Sequence, residues 1–279
     1  MKAVILCGGL ATRMLPISKS VPKEMMPVAN KPVLDYIVDD LVENGVKDIL
    51  IITNRGKECI ENYYDLNPEL NARLLEGGKT KICNEVTEIA TKANMHFIRQ
   101  ITPLGTGHAL KRAESFVGNE PFLFLFGDEL LYNPSNNLVK QLITAYDKCG
   151  VSVVAATTCP IEESYKYGMI AYEGEKLKEI VEKPQPENSP SNVCNLGNSL
   201  LTPDVFKYIK LKEVGETGVV DAINECAKVE GVNLCMVEGE RIDVGSKAGL
   251  IKANIYYGLH DPEIKDEIKE YLKYVLNNL

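Results

Sequence analysis

Short apolar or β-branched runs at residues 2–6, 49–53, 96–98, 122–126 and 151–157 are separated by stretches of helical periodicity, and this alternation constrains the chain more than any other feature. Leu34, Ile37, Val38, Leu41 and Val42 fall at i, i+3, i+4, i+7 and i+8, with Pro32 ahead of them and Gly45 behind, which predicts a helix with one apolar face. Leu138, Leu142, Ala145, Tyr146 and Cys149 repeat the pattern. Strands that run parallel need crossover connections, so strand–helix alternation predicts an α/β fold: a mixed, mostly parallel central sheet flanked by helices. Such sheets bind ligands at the carboxyl ends of their strands. That rule singles out residues 7–13, 100–108 and 127–130, each of which follows a predicted strand.

Beyond residue 157 the texture changes. Residues 167–172 and 176–182 read as short strands and are followed by a polar loop holding Pro184, Pro186 and Pro190, a pattern of returning strands rather than of a second domain. Asp261-Pro262 starts a last amphipathic helix with Ile264, Ile268, Tyr271, Leu272 and Val275 along one side, suited to core packing or to a subunit contact.

Charge and cysteine usage narrow the partners. Thirty-one Lys and Arg against 39 Asp and Glu leave a formal charge of −8, so there is no global basic footprint for nucleic acid. No apolar run approaches the roughly 20 residues that cross a bilayer, and no membrane association is expected. The eight cysteines are scattered without a C-x-x-C pair, which reads as reduced thiols in a cytoplasmic protein.

The strongest chemical signal is Gly8-Gly9-Leu10-Ala11-Thr12-Arg13-Met14-Leu15-Pro16, followed by Lys19 and by Pro22-Lys23-Glu24-Met25-Met26-Pro27. Glycines directly after a strand let the backbone approach a ligand and aim N–H groups at an anion. Arg13, Lys19 and Lys23 add three cations on a proline-stiffened loop, as a polyphosphate clamp requires. Two other phosphate motifs fail: Gly78-Lys79-Thr80 has Arg73 where a P-loop needs its first glycine, and Gly105-Thr106-Gly107 is followed by Leu110 where a dinucleotide fingerprint needs its third. Asp128, just past the run at 122–126, is placed as a Mg²⁺ ligand, and Asp243 in Ile242-Asp243-Val244-Gly245-Ser246 is a candidate second one. His108, opening a predicted helix, reads as structural.

In this order, the glycine-rich loop with Thr12-Arg13, the Lys23 segment, Gln100 with Gly105 and Gly107, Asp128, Glu182-Lys183-Pro184, Gly197 and Asp243-Val244-Gly245 resemble the sugar-1-phosphate nucleotidyltransferases. Within that family the chain looks most like the bacterial and archaeal UTP–glucose-1-phosphate uridylyltransferases, over about residues 2–258. The helical stretch 61–94 favours these over the more compact thymidylyltransferases. The resemblance implies a nucleotidyltransferase (glycosyltransferase A-like) domain at 1–258 and a C-terminal helix at 259–279 as an interface element of a homodimer or homotetramer. It implies transfer of a uridylyl group from UTP to glucose-1-phosphate, giving UDP-glucose and pyrophosphate with Mg²⁺ as cofactor. The alternatives are a thymidylyltransferase, a uridylyltransferase for another hexose-1-phosphate, or a non-catalytic sugar-nucleotide sensor.

Carried over by motif, Arg13, Lys23 and Asp128 would be catalytic, Asp128 and Asp243 would hold the metal, and Gly8, Gly9, Gln100 and Gly105 would surround the uracil, with the Gln100 amide both donating to and accepting from its edge. Gly168, Glu182, Lys183 and Gly197 would meet the sugar phosphate. Three positions depart from the family pattern. Ala11 replaces a glycine, so the loop is expected to avoid glycine-only dihedrals or to shift. Gly127-Asp128-Glu129 replaces Pro-Asp while keeping the carboxylate. Asn198 replaces an arginine beside Gly197, which leaves glucose selectivity less strict.

Overall fold

A computed structural model describes residues 1–278. Its strands are β1 (Lys2–Leu6), β2 (Pro27–Val28), β3 (Lys31–Pro32), β4 (Asp48–Thr53), β5 (Asn94–Arg99), β6 (Phe122–Phe126) and β7 (Glu129–Tyr132), then β8 (Ser152–Thr158), β9 (Gly168–Glu173), β10 (Lys176–Glu182), β11 (Val193–Leu201), β12 (Val232–Met236) and β13 (Glu240–Asp243). Nine of them form one sheet in the order β5-β4-β1-β6-β11-β8-β12-β10-β9. β1 pairs parallel with β4 and β6, β4 with β5 and β8 with β12, while β10 and β11 run against their neighbours. The sheet is therefore mixed, with seven of its nine strands running the same way, and the two reversed strands lie beyond residue 157, where returning strands are expected.

Alternation along each strand sorts side chains to two faces. Ala3, Ile5, Leu123 and Leu125 enter one core, and Val4, Leu6, Phe122 and Phe124 enter the other. Each such fully buried Ile, Leu or Phe contributes roughly 1.5–3 kcal/mol relative to exposure. The helix Val33–Glu43 buries Leu34, Ile37, Val38 and Leu41, and Gly45 ends it in the left-handed region at φ 76°. The helix Leu138–Cys149 begins where the Asn137 side chain accepts from Lys140 N and stops at left-handed Gly150. The stretch 61–94 does carry helices, Pro68–Glu76 and Thr80–Thr91.

Two features position the site. The ends of β1, β4 and β6 are tied together, with Gly127 N donating to Leu6 O and Cys7 N donating to Ile52 O of β4. Beyond β6, β7 pairs antiparallel with β13 so that Glu129 faces Asp243 in register, and Arg241 forms an ion pair with Glu129. Asp128 and Asp243, 115 residues apart in sequence, thus sit at one end of a two-stranded ribbon.

The helix Lys247–His260 caps the ribbon, and the last helix, Lys265–Asn277, lies against it where Ile264 and Ile268 meet Gly258. No residue of that last helix is fully buried, and Tyr271, expected on its apolar side, is 63% exposed. The cysteines are free: Cys7, Cys83, Cys194, Cys226 and Cys235 are buried, and Cys59 alone is exposed. Among the described residues no helix is long and apolar enough to cross a membrane.

Candidate active site

The loop after β1 is a chain of single 3₁₀ turns at Thr12–Met14, Ile17–Lys19 and Lys23–Met25. Ala11 enters it at φ 50°, ψ 42°. The loop thus enters the left-handed region but avoids glycine-only dihedrals, as expected for alanine at this position. That region is open to any L-residue at modest cost, and the Ala11 carbonyl is held there by Ser18 Oγ and Met14 N, each donating at 2.9 Å. Gly127 is demanded by packing, because a Cβ there would lie 2.6 Å from Cys7 Sγ.

Two cation–carboxylate pairs face each other across Gly245. Lys23 Nζ donates to Asp128 Oδ2 at 2.5 Å, the two side chains being 17% and 12% exposed. Burial alone would pull the Lys23 ammonium down, but Asp128 and then Glu24 hold it above its ordinary value. Behind it lies a second pair, Lys57 Nζ donating to both carboxylate oxygens of wholly buried Glu24 at 2.9 Å. Burial pushes the Glu24 carboxyl up, and Lys57 opposes the shift. Arg13 Nη1 lies 3.7 Å from Asp243 Oδ2 in a far more open pair. Lys19, the third cation of the expected clamp, is exposed and outside the cavity walls.

A cavity of about 440 Å³ opens over this arrangement, with Gly8, Gly9, Lys23, Gln100, Gly105 and Asp128 in its walls. Gly105 stands at φ 96°, and a Cβ there would fall 2.6 Å from Thr217 O. Its loop is pinned by Thr217 N donating to Leu104 O and Gly107 N donating to Thr217 O, both at 2.8 Å. Gln100 is 5% exposed; its Nε2 lies 3.1 Å from Gly105 O and 2.9 Å from His108 Nδ1. Both amide hydrogens are thus engaged inside the protein. Oε1 is thereby the amide atom left without a partner among the described residues, whereas the expectation has this amide both donate to and accept from a base edge.

The four residues expected at a sugar phosphate approach from the other half of the sheet. Gly168 and Glu182 pair in register on β9 and β10, and a Cβ on Gly168 would lie 3.4 Å from Glu182 Oε1. Lys183 is left-handed at φ 48°, its N–H donating to Tyr167 O. Gly197, at φ 84°, lets β11 pass the ring of Phe126, where a Cβ would meet Cε2 at 2.7 Å. Phe126 is itself a wall of the cavity; Gly168, Glu182, Lys183 and Gly197 are not. Asn198 is 1% exposed and accepts from Phe126 N at 2.8 Å, so its side chain braces β6 and gives no ground for relaxed sugar selectivity.

Glu24, Lys57, Glu129 and Arg241 were not anticipated. Glu24 and Glu129 each adjoin an expected site residue, and Lys57 lies just past the carboxyl end of β4, where the strand-end rule points.

No cluster of three or more His, Cys, Asp or Glu side chains able to hold a metal exists among the described residues. Two hard carboxylates nonetheless converge on the space left by Gly245, whose added Cβ would stand 2.9 Å from Asp243 Oδ1 and 3.1 Å from Asp128 Oδ2. That donor set fits Mg²⁺, which takes one or two carboxylates and completes its shell with phosphate oxygens and water.

Residues 2–258 match the nucleotidyl transferase family model. The chain is 40% identical to a UTP–glucose-1-phosphate uridylyltransferase of Bacillus subtilis over 99% of its own length and 95% of the relative's. It superposes on a UTP-bound UGPase from Acinetobacter baumannii with TM-score 0.90 at 32% identity, covering 97% of this chain and 98% of that one. A UDP-glucose pyrophosphorylase complexed with UDP-glucose matches with TM-score 0.83 at 32% identity, covering 93% and 99%.

Proposed function

Because the chain belongs to the nucleotidyl transferase family, we propose that its glycine-lined cavity is the site of a UTP–glucose-1-phosphate uridylyltransferase acting on the ternary complex of UTP, glucose-1-phosphate and Mg²⁺. The observation that carries the reading is the convergence of Lys23, Asp128, Arg13 and Asp243 at the mouth of a cavity walled by Gly8, Gly9, Gln100 and Gly105.

An oxygen of the sugar phosphate attacks the α-phosphorus of UTP. A P–O bond forms there as the bond to the bridging oxygen breaks, and pyrophosphate leaves with that electron pair. The attacking phosphate is already ionised near neutral pH, so no general base is required. What the protein supplies is position and compensation of negative charge. Backbone N–H groups around Gly8 and Gly9 and the cations Lys23 and Arg13 hold the triphosphate. Lys23 is preorganised, because Asp128 fixes its ammonium before any ligand arrives and the nearby Glu24 charge favours it.

Asp128 and Asp243 would hold Mg²⁺, which when bound would supply positive charge against the phosphates. Gln100 and Gly105 meet the uracil, and Gly168, Glu182, Lys183 and Gly197 meet the sugar phosphate. Residues 1–258 form the catalytic domain and 259–279 an interface element. The half-exposed last helix supports a homodimer or homotetramer, which light scattering reads, and the free thiols agree with a cytoplasmic location.

The test is pyrophosphate release in Mg²⁺, crossing UTP and dTTP with glucose-1-phosphate, galactose-1-phosphate and N-acetylglucosamine-1-phosphate. The expected best pair is UTP with glucose-1-phosphate. A different best pair would move the substrate, and no release with any pair would overturn the reading.

A further inference from the structure

We propose that His108 is a positioning residue for nucleobase choice: with the Gly105 carbonyl it locks the Gln100 amide so that Gln100 presents the cavity with a hydrogen-bond acceptor and no donor. The inference rests on the reading of Gln100 and Gly105 as base-facing residues and goes beyond it by assigning how the choice is made.

A backbone carbonyl only accepts, so the Gln100 atom 3.1 Å from Gly105 O is the amide nitrogen. Its second hydrogen points to His108 Nδ1 at 2.9 Å, which makes that ring nitrogen the acceptor and places the imidazole proton on Nε2. The remaining atom, Oε1, lies on the Gly8 side, 3.2 Å from where a Cβ of Gly8 would stand, and has no donor among the described residues. Gly105 and Thr106 are held by the 217–219 segment, with Thr106 Oγ1 accepting from Val219 N and Gly107 N donating to Thr217 O, so neither the carbonyl nor the start of the His108 helix can swing away easily.

An acceptor-only edge discriminates between pyrimidines of equal size. Uracil presents N3–H and is accepted; cytosine presents a bare N3 lone pair and meets Oε1 acceptor to acceptor. A flipped Gln100 would reverse the preference. Flipping would oppose Oε1 to the Gly105 carbonyl and aim an N–H away from its ring partner, so His108 and Gly105 together hold the uracil-reading form. Buried polar groups left unpaired are the strongest source of such discrimination.

The test compares kcat and KM for UTP and CTP, with glucose-1-phosphate and Mg²⁺, in the wild type, His108→Leu, His108→Asn and Gln100→Ala. His108→Leu is expected to narrow the UTP-over-CTP ratio of kcat/KM by roughly tenfold, mainly through KM for UTP, because one neutral hydrogen bond is lost. His108→Asn, with a carbonyl oxygen near the position of Nδ1, is expected to keep most of the ratio. Equal losses toward both nucleotides in His108→Leu would overturn the inference, while a collapsed ratio in Gln100→Ala would show the base-facing reading intact. Side-chain ¹⁵N shifts of His108 in the wild-type protein give an answer independent of any variant's folding. The Nε2–H tautomer is expected, and the Nδ1–H tautomer would overturn the inference. A wild type that releases no pyrophosphate from UTP would remove the underlying reading and the inference with it.

Discussion

Two cavities of similar size lie on either side of Phe126, and they have opposite chemistry. The one read as the active site, about 440 Å³, is walled by glycine backbone, Lys23 and three acidic residues, of which Asp128 is paired with Lys23 and Glu24 with Lys57, leaving Glu216. The other, about 380 Å³, is walled by Asp39, Asp40, Glu43, Glu129 and Asp261 together with Tyr36, Tyr132 and Tyr257, with Lys31 paired to Asp39 and Arg241 to Glu129. A triphosphate brings several negative charges, which the backbone N–H groups and Lys23 of the first cavity meet and the five acidic side chains of the second oppose, so volume alone does not choose between them. The contrast teaches that what marks a phosphate site here is the way its charges are arranged. The first cavity has its cation held by Asp128, with the Glu24 carboxylate tied to Lys57 behind it; in the second, Glu43 and Asp39 crowd Asp40.

The largest effect should come from breaking the fixed cation. Lys23→Ala is expected to lower kcat for pyrophosphate release by about 10²–10³-fold, the loss typical of one preorganised electrostatic contact. Near-normal turnover in the purified variant would sink the assignment. The variant also strips Asp128 of its partner, so it should be somewhat less stable in urea than the wild type.

Next comes the pair behind that cation. Lys57→Met leaves the Glu24 carboxylate buried and unpaired and is expected to cost about 3–5 kcal/mol in urea unfolding. The Lys57→Met, Glu24→Gln double variant should recover much of that loss. A double variant no more stable than the single would show that the pair is not acting as a unit.

The second cavity can be probed through its crowding. Burial, then Glu43 and Asp39, push the Asp40 carboxyl up to about 7, against an ordinary value of 3.8. The folded state therefore holds this proton more tightly than the unfolded chain. The favourable contribution is complete below the ordinary value and is lost as pH rises through about 7. Asp40→Asn should raise stability by about 1–3 kcal/mol near pH 8 and leave it unchanged near pH 4, while pyrophosphate release stays the same. An equal gain at both pH values would contradict the crowding argument.

The smallest effect is expected at Ala11. Glycine would relieve the left-handed strain but add unfolded-chain entropy, so Ala11→Gly should change stability by less than about 1 kcal/mol. A large gain in turnover would mean that the alanine distorts the loop.

Much of this was legible in the sequence because period and punctuation encode it. The five apolar runs are strands, and the helices at Val33–Glu43 and Leu138–Cys149 fall where their apolar spacing places them. Gly8, Gly9, Lys23, Gln100, Gly105 and Asp128 do line one cavity. What escaped depends on contacts between distant segments. Nothing near Lys57 says that it will meet Glu24, and the Gln100 amide could not be oriented before Gly105 O and His108 Nδ1 were in place. At Ala11 the sequence shows the missing glycine but not the hydrogen bonds that hold the alanine in the left-handed region. Tyr271 sits on the expected helix, yet helical spacing alone does not say how wide the contact with the preceding helix is.

The most direct test of the account is a magnesium titration of pyrophosphate release from UTP and glucose-1-phosphate, run on the wild type and on Asp243→Asn. Asp243 lies more than a hundred residues from the glycine-rich loop and reaches the site only through the β7–β13 ribbon. If it and Asp128 share one ion over Gly245, Asp243→Asn should need at least about tenfold more Mg²⁺ for half-maximal rate, as losing a metal contact typically costs. An unchanged magnesium dependence with a near-normal maximal rate would contradict the two-carboxylate site.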